Sequence, residues 1–160
     1  MSDTTQTTET TQTSQPLAQP RGIHHVRLSV TDIERSKAFY TALVGAEPAV
    51  DKTSELSSDP GAVQDPEKLF GGAVFALGDQ ILGLRPVPGA SGQTFSPERP
   101  GLDHISLAVG SRADLDAASA RLAAAGIEHG EVIEIPAQEM AVLSIQDPDD
   151  INLELTAPLG

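Results

Sequence analysis

The sequence predicts an α+β fold in which two βαβββ modules form a curved mixed sheet. Three observations predict it. The nonapeptide G-I-H-H-V-R-L-S-V from Gly22 to Val30 returns as G-L-D-H-I-S-L-A-V from Gly101 to Val109, with Gly, His, Leu and Val in register. Both copies alternate apolar and polar residues, the period of a strand with one buried face. Each copy is followed by a polar start, an amphipathic run and a glycine, so the repeat extends beyond the strand and marks a duplicated unit.

The elements follow in order. Val26, Leu28 and Val30 share one face of the first strand, and His25, Arg27 and Ser29 the other. Thr31 and Glu34 stand at capping-box spacing, and Ile33, Ser36, Tyr40 and Leu43 form a helical stripe that ends before Gly45. A short strand is expected near Ala46 to Asp51, then strands over Ala73 to Leu77 and Gln80 to Arg85 around a Gly78-Asp79 turn. In the second copy Ile105, Leu107 and Val109 oppose His104, Ser106 and Ala108. Ser111 and Asp114 open a helix carrying Leu115, Ala118, Leu122 and Ala125, stopped by Gly126. A short strand near Glu131 to Ile135 precedes strands over Met140 to Gln146 and Ile151 to Thr156, joined by Asp147-Pro148-Asp149-Asp150.

Residues 1–20 are nearly all Thr, Gln, Ser, Asp, Glu and Pro and are expected to be a disordered tail, since they bury too little to offset the entropy of ordering. Residues 21–158 are expected to form one domain: module one at about 22–86, a linker at 87–100 and module two at about 101–157. Lys52 to Gly72 does not repeat and is expected to act as a lid.

Composition narrows the function. Cysteine is absent, so any metal site must use His, Asp and Glu, and a cytoplasmic, reducing location is expected. A formal charge of −13 argues against nucleic-acid and anionic-membrane partners. No apolar window reaches the roughly 18 residues of a membrane span, and no signal peptide is read.

Helices covering one face of each sheet leave the other to curl around a cavity. Strand alternation sends His25, His104 and Glu154 to that side, because Ile151, Leu153 and Leu155 form the apolar face of the last strand. Two neutral imidazoles and a carboxylate suit one divalent ion, Fe, Mn, Ni, Co or Zn, with open positions for an oxygen substrate. Arg27 and Arg85 share the cavity-side parity and suit either the anionic end of a small-molecule substrate or carboxylates at the rim. Gln146, Ser144, Ser106 and Asn152 are polar at cavity positions and suit substrate or ligand orientation. His24 and His129 are read as structural or solvated, and Tyr40 as core packing.

These residues carry a resemblance. The chain from Arg21 to Pro158 resembles the vicinal oxygen chelate superfamily, which includes glyoxalase I, extradiol dioxygenases, fosfomycin-resistance enzymes and bleomycin-resistance proteins. The resemblance implies metal ligands at His25, His104 and Glu154, with Asp150 standing where the family's turn usually has Gly. Aligning I-L-G-L at Ile81 to Leu84 with N-L-E-L at Asn152 to Leu155 puts Gly83 where glyoxalase I has a further ligand. It thus implies a metal-dependent enzyme with a three-ligand site, closer to dioxygenase than to glyoxalase I chemistry. The rival readings are a bleomycin-resistance-like binding protein without turnover and a lactoylglutathione-lyase-like isomerase. It also implies a homodimer, and leaves open whether one chain or two build the site.

Overall fold

Alternation in the strands decides which face of each sheet is dry. In the computed structural model, which describes Ala18 and residues 20–159, β1 (His25–Val30) buries Leu28 and Val30 and exposes His25, Arg27 and Ser29. The expected disordered tail lies, Ala18 and Pro20 apart, outside the described residues. The first module continues with α1 (Ile33–Val44), β2 (Val50–Asp51), a one-turn α2 (Glu55–Ser58), β3 (Ala73–Leu77) and β4 (Gln80–Pro86). The second has β5 (Ile105–Ala108), α3 (Arg112–Ala124), β6 (Ile133–Ile135), β7 (Met140–Gln146) and β8 (Asn152–Pro158).

The modules build two four-stranded mixed sheets of identical order, β1-β4-β3-β2 and β5-β8-β7-β6, as the repeat predicts. In each, the first and last strands of the module pair in parallel and the rest antiparallel. The two short strands are shorter than expected.

Both helices begin and end on local signals. Asp32, not the expected Thr31, caps α1, its carboxylate accepting from the Arg35 N–H at 3.1 Å. Thr31 is committed elsewhere: its N–H and hydroxyl both donate to Asp149, at 2.8 and 2.5 Å. Ser111 caps α3 as expected. Gly45, at φ 74°, supplies the left-handed residue that ends α1.

One hydrophobic cluster joins the two modules. It takes Leu28, Phe75 and Leu84 from the first sheet, Leu143, Ile145 and Leu153 from the second, and Tyr40, Leu115 and Leu122 from α1 and α3. At its border the β7–β8 turn clamps α1. Asp149 receives Thr31 and an Arg35 guanidinium N–H at 2.6 Å. Asp147 accepts the backbone N–H groups of Asp149 and Ile151, both at 2.8 Å, and the Tyr40 hydroxyl at 3.0 Å. Burial holds the Asp147 carboxyl above the usual carboxylate range, outweighing these three donors. Burial and the neighbouring carboxyls push the Tyr40 hydroxyl up as well, so it stays a donor. Asp150, at φ 61°, adopts the left-handed conformation in this turn, which explains why a glycine suits the position.

Lys52 to Gly72 folds back as α2 and two 3-10 turns, Pro60–Gln64 and Leu69–Gly71. It seats tightly: a Cβ on Gly72 would lie 2.0 Å from the Leu84 carbonyl oxygen, and one on Gly71 2.2 Å from Leu56 Cδ2.

Candidate functional site

The core takes the inner face of each sheet, so the faces bearing the polar repeat residues turn away from it. On the outer face of the first sheet lie His25, Arg27 and Ser29 of β1, Ile81, Gly83 and Arg85 of β4, and Val74 of β3. His25 and Arg27 border a cavity of about 360 Å³ with Val50, Lys52, Glu67, Leu69, Val74, Ile81 and Gly83. Arg85 and Arg27 place their guanidinium carbons 4.3 and 5.3 Å from the centroid of the Phe70 ring, within cation–π range. The His24 and His25 rings meet edge to face, with their Nδ1 atoms 3.0 Å apart.

The outer face of the second sheet carries Ser106, Asn152, Glu154, Thr156, Ser144 and Gln146, with His104 just ahead of β5. His104 Nδ1 lies 2.5 Å from Asp103 Oδ1. A carboxylate accepting from Nδ1–H fixes the tautomer and leaves the lone pair on Nε2, the arrangement that metal-binding histidines favour. Thr156 Oγ1 donates to Glu154 Oε1 at 3.0 Å, and the Ser106 and Thr156 hydroxyls bond each other. Gln146 Nε2 donates to Asn152 Oδ1 at 2.9 Å, and Asn152 Nδ2 to the Asp103 carbonyl at 3.3 Å.

The registers of the two parallel pairs match. Arg27 lies opposite Gly83 as Ser106 lies opposite Glu154, so Gly83 occupies in the first sheet the place of Glu154 in the second. The donor types expected for a divalent ion are therefore present, two imidazoles and one carboxylate. They are divided, however: Glu154 lies on the second sheet, with His104 just ahead of that sheet's β5, and His25 lies on the first sheet. Among the described residues of one chain, no three His, Asp or Glu side chains cluster closely enough to hold a metal ion.

Phe70, Asp103, Lys52 and Glu67 escaped the sequence reading. Asp103 had a signal, since it takes the place of His24 in the repeat. The other three lie in the non-repeating segment, where no periodicity points to a site.

A family model described as Glyoxalase/Bleomycin resistance protein/Dioxygenase superfamily matches residues 22–155. The chain belongs to that superfamily. It is 30% identical over 135 residues to the uncharacterized protein YwkD of Bacillus subtilis (strain 168), covering 84% of this chain and 95% of that protein. Among solved structures it is similar to a glyoxylase/bleomycin resistance protein/dioxygenase domain from Frankia sp. EAN1pec, with 28% identity, a TM-score of 0.67, and 88% and 93% of the two chains covered. A mutant of a fosfomycin resistance protein from Listeria monocytogenes, solved with Mn(II) and a dihydroxypropylphosphonic acid, shares the fold. That match has 17% identity and a TM-score of 0.59, covering 89% and 92%. No helix of the described residues is long and apolar enough to cross a membrane.

Proposed function

We propose that this superfamily member is a divalent-metal-dependent enzyme of the glyoxalase/dioxygenase class, whose metal site forms between two copies of the chain. His25 of one copy and His104 with Glu154 of the other would hold the ion. The observation carrying this reading is the division of the three donors between the outer sides of two sheets that share one core. β1 and β5 are both edge strands, and edges of this kind invite pairing with another chain. Ile23 and Leu102, each two residues before a repeat histidine, are 68% and 38% exposed, and Val50 and Ile133 lie exposed on β2 and β6. Apolar side chains so placed suit a second copy docked over both half-sites, as a twofold dimer requires.

When bound, the ion supplies Lewis-acid polarisation of a substrate that chelates it through neighbouring oxygens. The chain's own groups do the rest. Asp103 keeps His104 in the ligating tautomer, and Arg27 and Arg85 attract the anionic end of the substrate. Gln146, held by Asn152, orients it from the other wall. Gly83 offers no carboxylate for a proton shuttle of the glyoxalase I kind, which favours dioxygenase-like chemistry. The Listeria protein's Mn(II) and anionic ligand are consistent with this kind of site.

The test is metal analysis of protein purified without chelator, followed by assays of the Fe(II)-, Mn(II)-, Ni(II)- and Zn(II)-loaded forms. The expected result is one ion per chain, with oxygen uptake on a catechol probe exceeding isomerisation of the methylglyoxal–glutathione adduct. Protein that takes up no divalent ion yet binds an aromatic ligand without turnover would instead support a bleomycin-resistance-like binding role.

A further inference from the structure

The two modules share one plan but carry opposite charge at the matching point. Glu154 stands among hydroxyls, with Ser106 opposite it and Thr156 hydrogen-bonded to it. At the equivalent place in the first module there is no side chain at all, and a guanidinium leans over the gap. A Cβ built on Gly83 would lie 3.4 Å from Arg27 Nε and 3.5 Å from its Cγ. Arg85, two residues along β4, shares that outer face, and both arginines rest near Phe70.

Neither arginine makes an ion pair among the described residues, although the chain holds 23 Asp and Glu. In so acidic a protein a guanidinium at a cavity ordinarily finds a carboxylate. The cluster is also held at a conformational cost. Leu69 and Phe70 have φ of 51° and 58°, and each non-glycine residue in this region costs on the order of 1 kcal/mol or more. Strain of this kind persists where the surroundings impose it, and here it sets the Phe70 ring beside the two arginines.

We propose that the ligand supplies the oxyanion partner that Arg27 and Arg85 lack, in a cavity that Lys52 and Glu67 also border. A small molecule seats a carboxylate or phosphonate end over Gly83, between the Arg27 and Arg85 guanidiniums, and its body extends along His25, Val74 and Ile81 in the 360 Å³ cavity. Two guanidinium forks match either oxyanion, and the cation–π contacts with Phe70 hold them in place before binding. This assigns the charged end of the substrate and rests on the reading above only for where the reacting end goes.

The test uses full-length protein stripped of metal by chelator and titrated calorimetrically with benzoate, phenylphosphonate and benzamide. Benzoate or phenylphosphonate is expected to bind at least about tenfold more tightly than neutral benzamide, and the tighter of the two names the oxyanion. Arg27→Gln and Arg85→Gln should each weaken that binding about tenfold. Gly83→Glu should abolish it, because the tethered carboxylate takes the ligand's place. Equal binding of benzoate and benzamide, or no binding of either anion, overturns the proposal without any variant having to fold. Because these titrations contain no metal, anion binding with no metal uptake would overturn the shared metal centre alone, and metal uptake with no anion binding would overturn this pocket alone.

Discussion

Replacing Glu154 by Gln is expected to lower divalent-metal affinity by about two orders of magnitude, roughly 3 kcal/mol, while the metal-free protein melts where the parent does. Gln keeps the length and the Oε1 acceptor that receives the Thr156 hydroxyl, so the local packing survives. What disappears is the negative charge, the only one the proposed ligand set brings to a dication. Glu154 is half-buried, so neutralising it relieves no large desolvation cost and the fold gains or loses little. Competition against a chromophoric chelator measures the affinity, and a melt in excess chelator supplies the control. An unchanged affinity would remove Glu154 from the site.

Asp149→Ala destabilises the fold by about 3 kcal/mol. Asp149 is 4% exposed, and its carboxylate takes three donors: the Thr31 N–H, the Thr31 hydroxyl and Arg35. Charge-assisted bonds of this type contribute about 1.5–3 kcal/mol each but do not add in full. Alanine leaves the part-buried Thr31 N–H without its acceptor. The damage reaches the site, because Thr31 follows the strand carrying His25 and Arg27, and Asp149 leads into the strand carrying Glu154. Urea unfolding of the metal-free protein reads the loss directly. A loss below about 1 kcal/mol would mean that the turn merely lies against α1.

These two residues were unequally legible in the sequence. Glu154 stood out because β8 alternates cleanly and a period of two needs only local information. The same logic puts His25, Arg27 and Arg85 on one face of the first sheet, and the pairing register agrees; the alignment of I-L-G-L with N-L-E-L puts Gly83 in the place of Glu154, as the two registers do. The Asp149 clamp spans 118 residues of chain to Thr31, and no local pattern announces a contact at that range. It also explains why the helix cap moved: with Thr31 committed to Asp149, the next residue, Asp32, caps α1. Phe70 was hidden for another reason. Its left-handed backbone belongs to a segment with no counterpart in the second module, so neither periodicity nor the repeat could place it beside two arginines. The division of the donors between two sheets depends on how the modules pack, which strand patterns do not encode.

Each proposed metal site draws on two copies, and subunit complementation tests this most directly. His25→Ala and Glu154→Gln are each expected to bind little metal alone. In a dimer containing one of each, one site combines both lesions, and the other combines an intact His25 from the Glu154→Gln chain with an intact His104 and Glu154 from the His25→Ala chain. After the two variants are mixed, dissociated and reassociated at random, metal content should return to about a quarter of the parental value. Recovery of none, with dimers reformed, would show that each site is built within a single chain.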